Sequence, residues 1–298
     1  MAKIAVELER ALSERAMNGS PGRATARTLA QGAGWRVDDV LCTSGPSDRA
    51  FGEQHSWFSI AIVAAGTFQY RATAAGELMA PGTLLLGNAG QWFECGHEHG
   101  AGDRCLAFRY SPEYFERLAA DAVDGGAKPY FPALRLPALQ ALSPLTAQAC
   151  AGLINSRQAP WEELSAKVAA KALQIAGGLS PRTTGEPPSA VARVTRTVRA
   201  IDHDPDARLS LDSLAREARL SPYHFQRTFE HLTGMTPHRY VLRARLREAA
   251  IALALESAKI LDVALACGFG DVSNFNRAFR AEFGISPREY RRMAGPVF

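Results

Sequence analysis

Four side chains that can bind a soft metal ion lie within eleven residues near position 100. They are Cys95, His97, His99 and Cys105, interspersed with three glycines. Two cysteines and two histidines can complete a tetrahedral zinc site, although this spacing is not that of a known zinc module. If residues 95, 97 and 99 alternate onto one face of a strand, their side chains could instead form a site in which the cysteine acts as a reactive thiol. Three interpretations therefore stay open: a zinc or other soft-metal site, a thiol sensor, and a structural or ligand-pocket role.

The size and composition of the chain indicate two ordinary globular domains. Its 298 residues exceed what one core usually serves, and 47% are hydrophobic and 21% charged. No apolar run reaches the ~18 residues of a membrane helix, and acidic residues interrupt any signal core at the start, which favours a cytoplasmic protein without membrane contact. The five cysteines are odd in number and scattered, so we expect reduced thiols.

A stretch rich in Pro, Gly, Ser and Thr, residues 180–189, indicates a linker. Before it, short apolar or alternating runs punctuated by glycines predict a mainly-β barrel or sandwich, followed from Pro112 by helices suited to dimerisation. We thus expect a poorly constrained extension over residues 1–34, a mainly-β domain with following helices over 35–179, the linker, and a helical domain over 190–298.

Positive charge is concentrated in the C-terminal domain. Residues 190–298 hold 17 Arg or Lys against 12 Asp or Glu, whereas the first 189 residues balance at −1. All but one of these cations are arginines, whose side chains suit bidentate contacts to phosphate and guanine. This distribution favours a polyanionic partner.

The C-terminal domain contains an internal repeat. A shift of 50 residues superposes six identical residues: Phe225 on Phe275, Arg227 on Arg277, Phe229 on Phe279, Gly234 on Gly284, Pro237 on Pro287 and Tyr240 on Tyr290. Upstream the register changes by one, so the second copy has an extra residue in its turn. Such a repeat is typical of duplicated helix-turn-helix units.

Each copy predicts two helices joined by a turn. In the first copy Ser210 caps the first helix, and Ser221 caps the second, which begins at Pro222. Phe225 and Phe229 are four residues apart and share a buried face, so the polar residues between them face solvent or a groove.

One long helix, from Pro237 to about Glu256, is predicted between the two copies. It would span about 30 Å at ~1.5 Å per residue, close to the ~34 Å repeat of the major groove. One polypeptide could therefore read two successive groove segments.

Residues 191–293 resemble the DNA-binding domain of the AraC/XylS family, in which a long helix joins two helix-turn-helix units. The second unit matches most closely, at Ile260-x-x-Val-Ala264, Gly268-Phe269, Asp271, Ser273, Phe275, Arg277-Ala-Phe279, Gly284, Ser286-Pro287 and Tyr290-Arg291. Gly270 and Val272 depart from the residues usual in the family.

The resemblance implies base contacts in both units. They would come from Tyr223, Gln226 and Arg227 in the first and from Ser273, Asn274, Asn276 and Arg277 in the second. Arginine can bond O6 and N7 of guanine, and Asn or Gln can bond N6 and N7 of adenine, so the residue types fit. The alternative is that these are ordinary solvated helix faces. The partners implied are double-stranded promoter DNA, RNA polymerase, an unidentified small-molecule or metal effector, and a second copy of the chain.

The N-terminal part more loosely resembles the cupin-like sensor domain of the same family. The resemblance rests on His55, the run Pro81-Gly-Thr-Leu-Leu-Leu86 and His97. A single histidine stands at position 55 where cupins carry His-x-His, so their metal pattern is incomplete. Glu53 and His55 could line an effector pocket, although a histidine at a strand edge is more often structural.

These observations predict an AraC-family transcription regulator, not an enzyme, modulated by an effector at its N-terminal domain. Its fold would be a cupin-like barrel with following helices, then an all-α domain of two helix-turn-helix units joined by a long helix. Alternatives are a metal- or thiol-stress sensor acting through the Cys/His group, a cupin-type metal-dependent enzyme, and an architectural DNA binder without an effector. No cofactor is certain, and zinc is the one that the Cys/His group would accept.

Overall fold

A computed structural model describes residues 3–72, 75–122, 129–155, 159–178, 186–207 and 209–294. Over these residues a mainly-β N-terminal part with following helices precedes an all-α C-terminal part, as the sequence predicts. Residues 180–185 of the predicted linker lie outside the described ranges, and a helix already begins at Pro188. None of the described helices is both long and apolar enough to cross a membrane.

The N-terminal part forms two antiparallel sheets after one helix. The helix is α1 (Lys3–Asn18), and the strands are β1 (Ala24–Gly32), β2 (Trp35–Cys42), β3 (Phe51–Gln54), β4 (Phe58–Gly66), β5 (Phe68–Ala72), β6 (Ala75–Met79), β7 (Leu84–Gly87), β8 (Trp92–Gly96), β9 (Asp103–Tyr110) and β10 (Arg135–Leu136). The larger sheet has the order β1-β2-β9-β4-β7-β10, and the smaller has the order β3-β8-β5-β6.

Strand β4 explains how the two sheets and the helices pack together. Ile60 and Ile62 belong to a core shared with the surrounding helices. Ala61 and Val63, which alternate with them, join a second core with Tyr70 of the smaller sheet. Burial on both faces accounts for the continuous apolar run of this strand, and the mainly-β barrel or sandwich predicted from the sequence is confirmed.

Three helices after β9 cover the larger sheet. They are α2 (Pro112–Ala122), α3 (Ser143–Ile154) and α4 (Trp161–Ala176), with a short 3-10 turn at Gln140–Leu142. Trp161 and Leu164 are buried in the core that contains Phe108 of β9. The hydroxyl of Tyr110 donates to the carbonyl of Ser165 at 2.8 Å, which holds α4 on the sheet.

Residues 3–34 are not the poorly constrained extension that the sequence predicts. Ile4 and Leu8 of α1 are only 2% and 4% exposed because they pack into the core of the larger sheet. Strand β1 pairs with β2 along its length. Arg104 of β9 donates to the carbonyl of Ile4 at 3.1 Å. Local sequence shows a short helix here but not the distant strands that bury it.

Seven helices form the described C-terminal part. They are α5 (Pro188–His203), α6 (Leu211–Glu217), α7 (Pro222–Thr233), α8 (Pro237–Leu255), α9 (Ile260–Ala266), α10 (Val272–Phe283) and α11 (Pro287–Ala294). Helix α8 contributes Tyr240 to the core around Phe229 and Leu246 to the core around Phe279. Because one continuous helix enters both cores, it fixes the two helix pairs relative to each other.

Candidate nucleic-acid interface

The first helix pair, α6 and α7, is defined by side-chain caps. Ser210 Oγ accepts a hydrogen bond from the Ser213 amide at 3.1 Å, and Ser213 Oγ in turn accepts one from the Ser210 amide at 3.0 Å. Ser221 Oγ accepts from the His224 amide at 3.4 Å, with Pro222 in the first helical turn. Both predicted caps are confirmed, and they satisfy amides that would otherwise lack partners at the helix starts.

The second pair, α9 and α10, has a cap that the sequence reasoning missed. Asp271 accepts from the Asn274 amide at 2.7 Å and starts α10. The signal was available, because Asp is a preferred N-cap residue and Asn274 stands three positions later. The turn preceding α10 is one residue longer than the turn preceding α7, as the register offset of the repeat predicts.

The turns of the two units differ at one left-handed position. Arg219 has φ +54° in the first turn, whereas the second turn places Gly268 at φ +78°. A Cβ at Gly268 would lie 2.7 Å from Cα of Asp206, so the second turn also excludes a side chain sterically. Glycine is therefore required in the second turn for two reasons.

We expect Gly268→Ala to destabilise the C-terminal domain by about 1–3 kcal/mol, because alanine adds both strain and a clash. Arg219→Gly is the matched reverse change, and relief of a positive φ should leave stability unchanged or raise it by up to ~1 kcal/mol. Thermal loss of helical circular dichroism measures both variants. Identical melting of Gly268→Ala and the unchanged protein would contradict the geometric argument.

Buried phenylalanine pairs orient α7 and α10. Phe225 and Phe229 of α7, and Phe275 and Phe279 of α10, are all 0% exposed. The opposite faces carry every residue for which the family resemblance implies a base contact. All of them are exposed: Tyr223, Gln226, Arg227, Ser273, Asn274, Asn276 and Arg277. Their roles as base contacts stay a prediction.

Two surface grooves run beside these exposed residues. Gln226 of the first unit and Asn274 of the second line one groove that also contains Arg245 of α8. The other groove, on the second unit, is lined in part by Arg277 and Arg280. Nη2 of Arg277 donates to Oδ1 of Asn274 at 3.2 Å, which holds the guanidinium on the exposed face. Such a surface can donate several hydrogen bonds to base edges and phosphates.

The two residues of the predicted effector pocket lie in different surroundings. Glu53 is exposed on β3, the edge strand of the smaller sheet. The ring of His55 stacks on Phe93 with centroids 4.1 Å apart, and its Nε2 lies 2.8 Å from the Tyr70 hydroxyl. Burial, with a smaller effect from the charge of Arg109, lowers the pKa of His55 to about 4, so this ring is neutral at pH 7. A pocket formed by Glu53 and His55 stays a prediction.

The Cys/His group predicted from the sequence is arranged differently in the structure. Strand β8 ends at Gly96, so Cys95, His97 and His99 do not alternate along one strand face as predicted. Cys95 is buried between the sheets, and His99 lies half-buried in the following turn. After Gly96 the strand pairing stops and the chain forms a turn that contains glycines, which tolerate turn conformations.

His97 points into the protein and meets two residues outside the predicted group. Its Nε2 lies 2.7 Å from Oδ1 of Asp103. Among the described residues, donor atoms of Cys42, His97 and Asp103 all lie within 4.8 Å of one another. We call this group the Cys–His–Asp cluster. Local spacing could not reveal it, because Cys42 reaches Asp103 only through the pairing of β2 with β9.

Burial and neighbouring charges set the protonation states in this region. Burial opposes the charged form of His97, but its hydrogen bond to Asp103 and the adjacent Cys42 raise the pKa of His97 to about 9. Burial, reinforced by the charge of Asp103, raises the pKa values of Cys95 and Cys105 well above their usual range. These two thiols are therefore protonated at pH 7 and react poorly as nucleophiles. All five cysteines are unpaired and buried.

Comparison with known proteins agrees with both parts of the fold. The family model described as a helix-turn-helix domain matches residues 214–293, and the one described as an AraC-like ligand binding domain matches residues 44–173. The Right origin-binding protein of Escherichia coli (strain K12) is 41% identical over 87 residues, which are 29% of this chain and 30% of that protein.

Two further relatives match over a similar length of the chain. The Transposon Tn10 TetD protein of Escherichia coli is 38% identical over 92 residues, 31% of this chain and 67% of that protein. The HTH-type transcriptional activator RhaS of Escherichia coli (strain SE11) is 38% identical over 91 residues, 30% of this chain and 32% of that protein. The chain thus spans about a third of the length of RhaS and of the origin-binding protein.

The two family models account for both structural parts in the expected order. They support a regulator rather than the cupin-type enzyme that the sequence left as a remote alternative. From the paired domain matches and the relative matched over two thirds of its length, we conclude that the chain belongs to the AraC family of DNA-binding transcription regulators.

Proposed function

We propose that this protein regulates transcription by placing α7 and α10 in two successive major-groove segments of a promoter, under the control of an effector bound at its N-terminal domain. One observation carries the proposal. Every residue with an implied base contact is exposed on α7 or α10, and the buried phenylalanine pairs hold the opposite faces of both helices.

The length of α8 supports the use of two groove segments. Its 19 residues span roughly 28 Å at 1.5 Å per residue, which approaches the ~34 Å groove repeat. Because α8 enters the cores of both units, the spacing of the two recognition helices is set before DNA binds. A preset spacing favours DNA sites whose two half-sites lie one helical turn apart.

Contacts between the two parts of the chain support control by an effector. Arg135 of β10 donates to the carbonyl of Thr233, the last residue of α7, at 3.5 Å. Gln140 donates to the carbonyl of Ala281 in α10. One segment of the N-terminal part, residues 135–143, therefore contacts both recognition helices. An effector that binds one of two conformations of this segment more tightly would shift both recognition helices together.

Two arginines of α8 strengthen the same interface. Arg247 donates to the carbonyl of Pro81 at 3.2 Å and to Asp202 at 2.8 Å. Arg243 pairs with Glu282 of α10 at 3.0 Å and donates to the carbonyl of Ala138. These side chains are engaged within the protein, so we assign them to coupling between the parts rather than to phosphate contacts.

The remaining partners follow from the same proposal. A transcription regulator at a promoter works beside RNA polymerase and, in a bacterial cell, in the cytoplasm. Helices α2 to α4, which cover the larger sheet, offer surfaces for a second copy of the chain. Light scattering of the purified protein measures its oligomeric state.

Selection of bound sequences from random DNA by the full chain tests the proposal. We expect an enriched site with two half-sites about 10–10.5 base pairs apart, and an affinity that falls steeply as salt rises. A folded protein that enriches no sequence would contradict specific recognition. Enrichment of a single half-site would contradict the simultaneous use of α7 and α10.

A further inference from the structure

We propose that the Cys–His–Asp cluster binds one divalent cation of the zinc class and that this cation acts on the DNA-binding part through Arg199. The coupling half of this inference rests on the proposed function. The binding half does not, because it concerns the N-terminal part alone.

The three residues are held together by the strands of the larger sheet. Cys42 ends β2 and stands directly opposite Asp103, which begins β9. His97 follows β8 and enters from the smaller sheet. The three residues are 3%, 5% and 5% exposed, and their donor atoms lie within 4.8 Å of one another. Ligands of a tetrahedral zinc ion are about 3.5 Å apart, so side-chain rotations suffice to close the site.

The contact between His97 and Asp103 places two candidate ligand atoms side by side. Nε2 of His97 and Oδ1 of Asp103 are 2.7 Å apart and are joined by a hydrogen bond. Metal ligands must be deprotonated, so a divalent ion that displaces the proton between these two atoms can be bound by both of them. The adjacent Cys42 supplies a third donor of a type that zinc accepts.

Charge and donor type select the class of cation. A thiolate from Cys42 and the carboxylate of Asp103 together carry two negative charges, which a divalent ion neutralises in this buried place. A monovalent ion would leave a net buried charge, which is unfavourable. Sulfur and nitrogen donors favour zinc and similar transition metals over magnesium or calcium, which require oxygen ligands.

The thiol of Cys105 is not one of the proposed ligands but forms a hydrogen bond to one of them. It donates to Oδ2 of Asp103 at 3.2 Å and so fixes the carboxylate. Cys95 and His99, which the sequence suggested as ligands, are not part of the group within 4.8 Å. They provide matched control positions, one buried thiol and one imidazole, close to the proposed ligands in sequence.

Arg199 of α5 connects the cluster to the DNA-binding part. Its Nη2 donates to the carbonyl of Ala101 at 2.7 Å, and its Nη1 donates to Thr67 at 3.2 Å. Ala101 lies in the short loop between the two ligands His97 and Asp103. The same arginine packs so closely on Gly100 that a Cβ there would lie 2.8 Å from its side chain. Movement of either ligand is therefore transmitted to this loop.

Helix α5 passes the movement on to the first recognition helix. Val194 and Val198 of α5 share a core with Phe225 and Phe229 of α7. A cation between His97 and Asp103 would move their donor atoms from 2.7 Å to about 3.5 Å apart, and would so shift the Ala101 carbonyl and the guanidinium that donates to it. The proposed path contains no solvent-exposed step, since each contact is buried or half-buried.

Titration of the metal-free full-length protein with Co²⁺ alone tests the binding half. We expect one Co²⁺ per chain, with the intense near-ultraviolet absorption of a thiolate–cobalt bond. Cys42→Ser and His97→Gln should each weaken binding at least tenfold, whereas Cys95→Ser and His99→Gln should not. Tryptophan fluorescence verifies that the variants are folded, because all four tryptophans lie in the N-terminal part. No stoichiometric binding, or binding lost only in the control variants, would overturn the assignment.

DNA affinity with and without Zn²⁺ tests the coupling half. For the unchanged protein we expect saturating Zn²⁺ to alter affinity for the selected DNA site at least fivefold, within the usual range of coupling between sites. Arg199→Met removes the donors but keeps an unbranched side chain. It should retain Co²⁺ binding and lose most of the Zn²⁺ effect. A full Zn²⁺ effect in Arg199→Met would overturn the route, and absence of an effect in the unchanged protein would overturn the coupling. Absence of any specific DNA site would instead contradict the proposed function.

Discussion

A protein carrying both Arg227→Ala and Arg277→Ala is expected to lose most of its preference for its selected DNA site. Each guanidinium lies exposed on its recognition helix, at equivalent positions of the repeat. A bidentate contact to guanine discriminates by about 1–3 kcal/mol, so each single change should weaken specific binding about 5- to 150-fold. The two positions lie in separate units, and their effects on the binding free energy should add.

The pattern of loss separates base reading from simple charge. Each single variant should relax preference at one base pair, and the two affected base pairs should lie about one helical turn apart. Arg10→Ala provides the charge control, because Arg10 is exposed on α1 and pairs with Glu14 rather than with DNA-facing residues. Binding to random and selected DNA is measured for all variants. An equal loss on both kinds of DNA would place the two arginines on phosphates.

The helix-turn-helix units could be predicted in detail because their signals are local. Ser210 and Ser221 cap helices within three residues of themselves, and Phe225 and Phe229 meet on one face of a single helix. Each of these relations is complete within one or two helical turns. The fold of residues 211–294 and the exposure of its polar face therefore follow from short stretches of sequence.

The N-terminal part could be predicted only as an architecture. Alternating apolar runs indicate strands, but the order β1-β2-β9-β4-β7-β10 joins residues far apart in sequence. The pairing of Cys42 with Asp103 depends on that order, and so does the burial of α1 by strands that follow it. Spacing alone therefore suggested a metal site among four neighbouring residues, of which one, His97, belongs to the Cys–His–Asp cluster.

A buried ion pair between β2 and β9 depends on the same pairing of strands that are far apart in sequence. Asp39 of β2 accepts two hydrogen bonds from Arg104 of β9, at 2.9 Å from both Nε and Nη2. The two residues are 6% and 2% exposed. Asp39 also accepts from Arg27 at 2.9 Å, but the Arg27 side chain is 61% exposed. The carboxylate thus has one buried and one exposed cationic partner.

Asp39→Asn is expected to destabilise the N-terminal part by about 3–5 kcal/mol, because it removes the buried counter-charge of Arg104 and leaves it the carboxylate of Glu7, whose side chain is 58% exposed. Arg27→Ala is the matched control, since it removes the exposed partner of the same carboxylate and should cost no more than ~1 kcal/mol. Urea unfolding followed by tryptophan fluorescence reports on this part specifically, as the four tryptophans are at positions 35, 57, 92 and 161. Equal losses in the two variants would refute the assignment of the stabilisation to the buried pair.

The difference in unfolding free energy between the unchanged protein and Asp39→Asn should decrease at low pH. Burial opposes ionisation of Asp39, but hydrogen bonds and charge from Arg104 and Arg27 hold the pKa of Asp39 below its usual value. An acid whose pKa is lowered by folding stabilises the protein above its unfolded pKa of about 3.9 and loses this contribution as pH falls through the folded pKa. The gap in unfolding free energy between the unchanged protein and Asp39→Asn should therefore be full at pH 7 and narrow below about pH 4. A gap that widens on acidification would contradict this sign, because it would mean that folding raises the pKa of Asp39, so that the protonated acid stabilises the protein as pH falls.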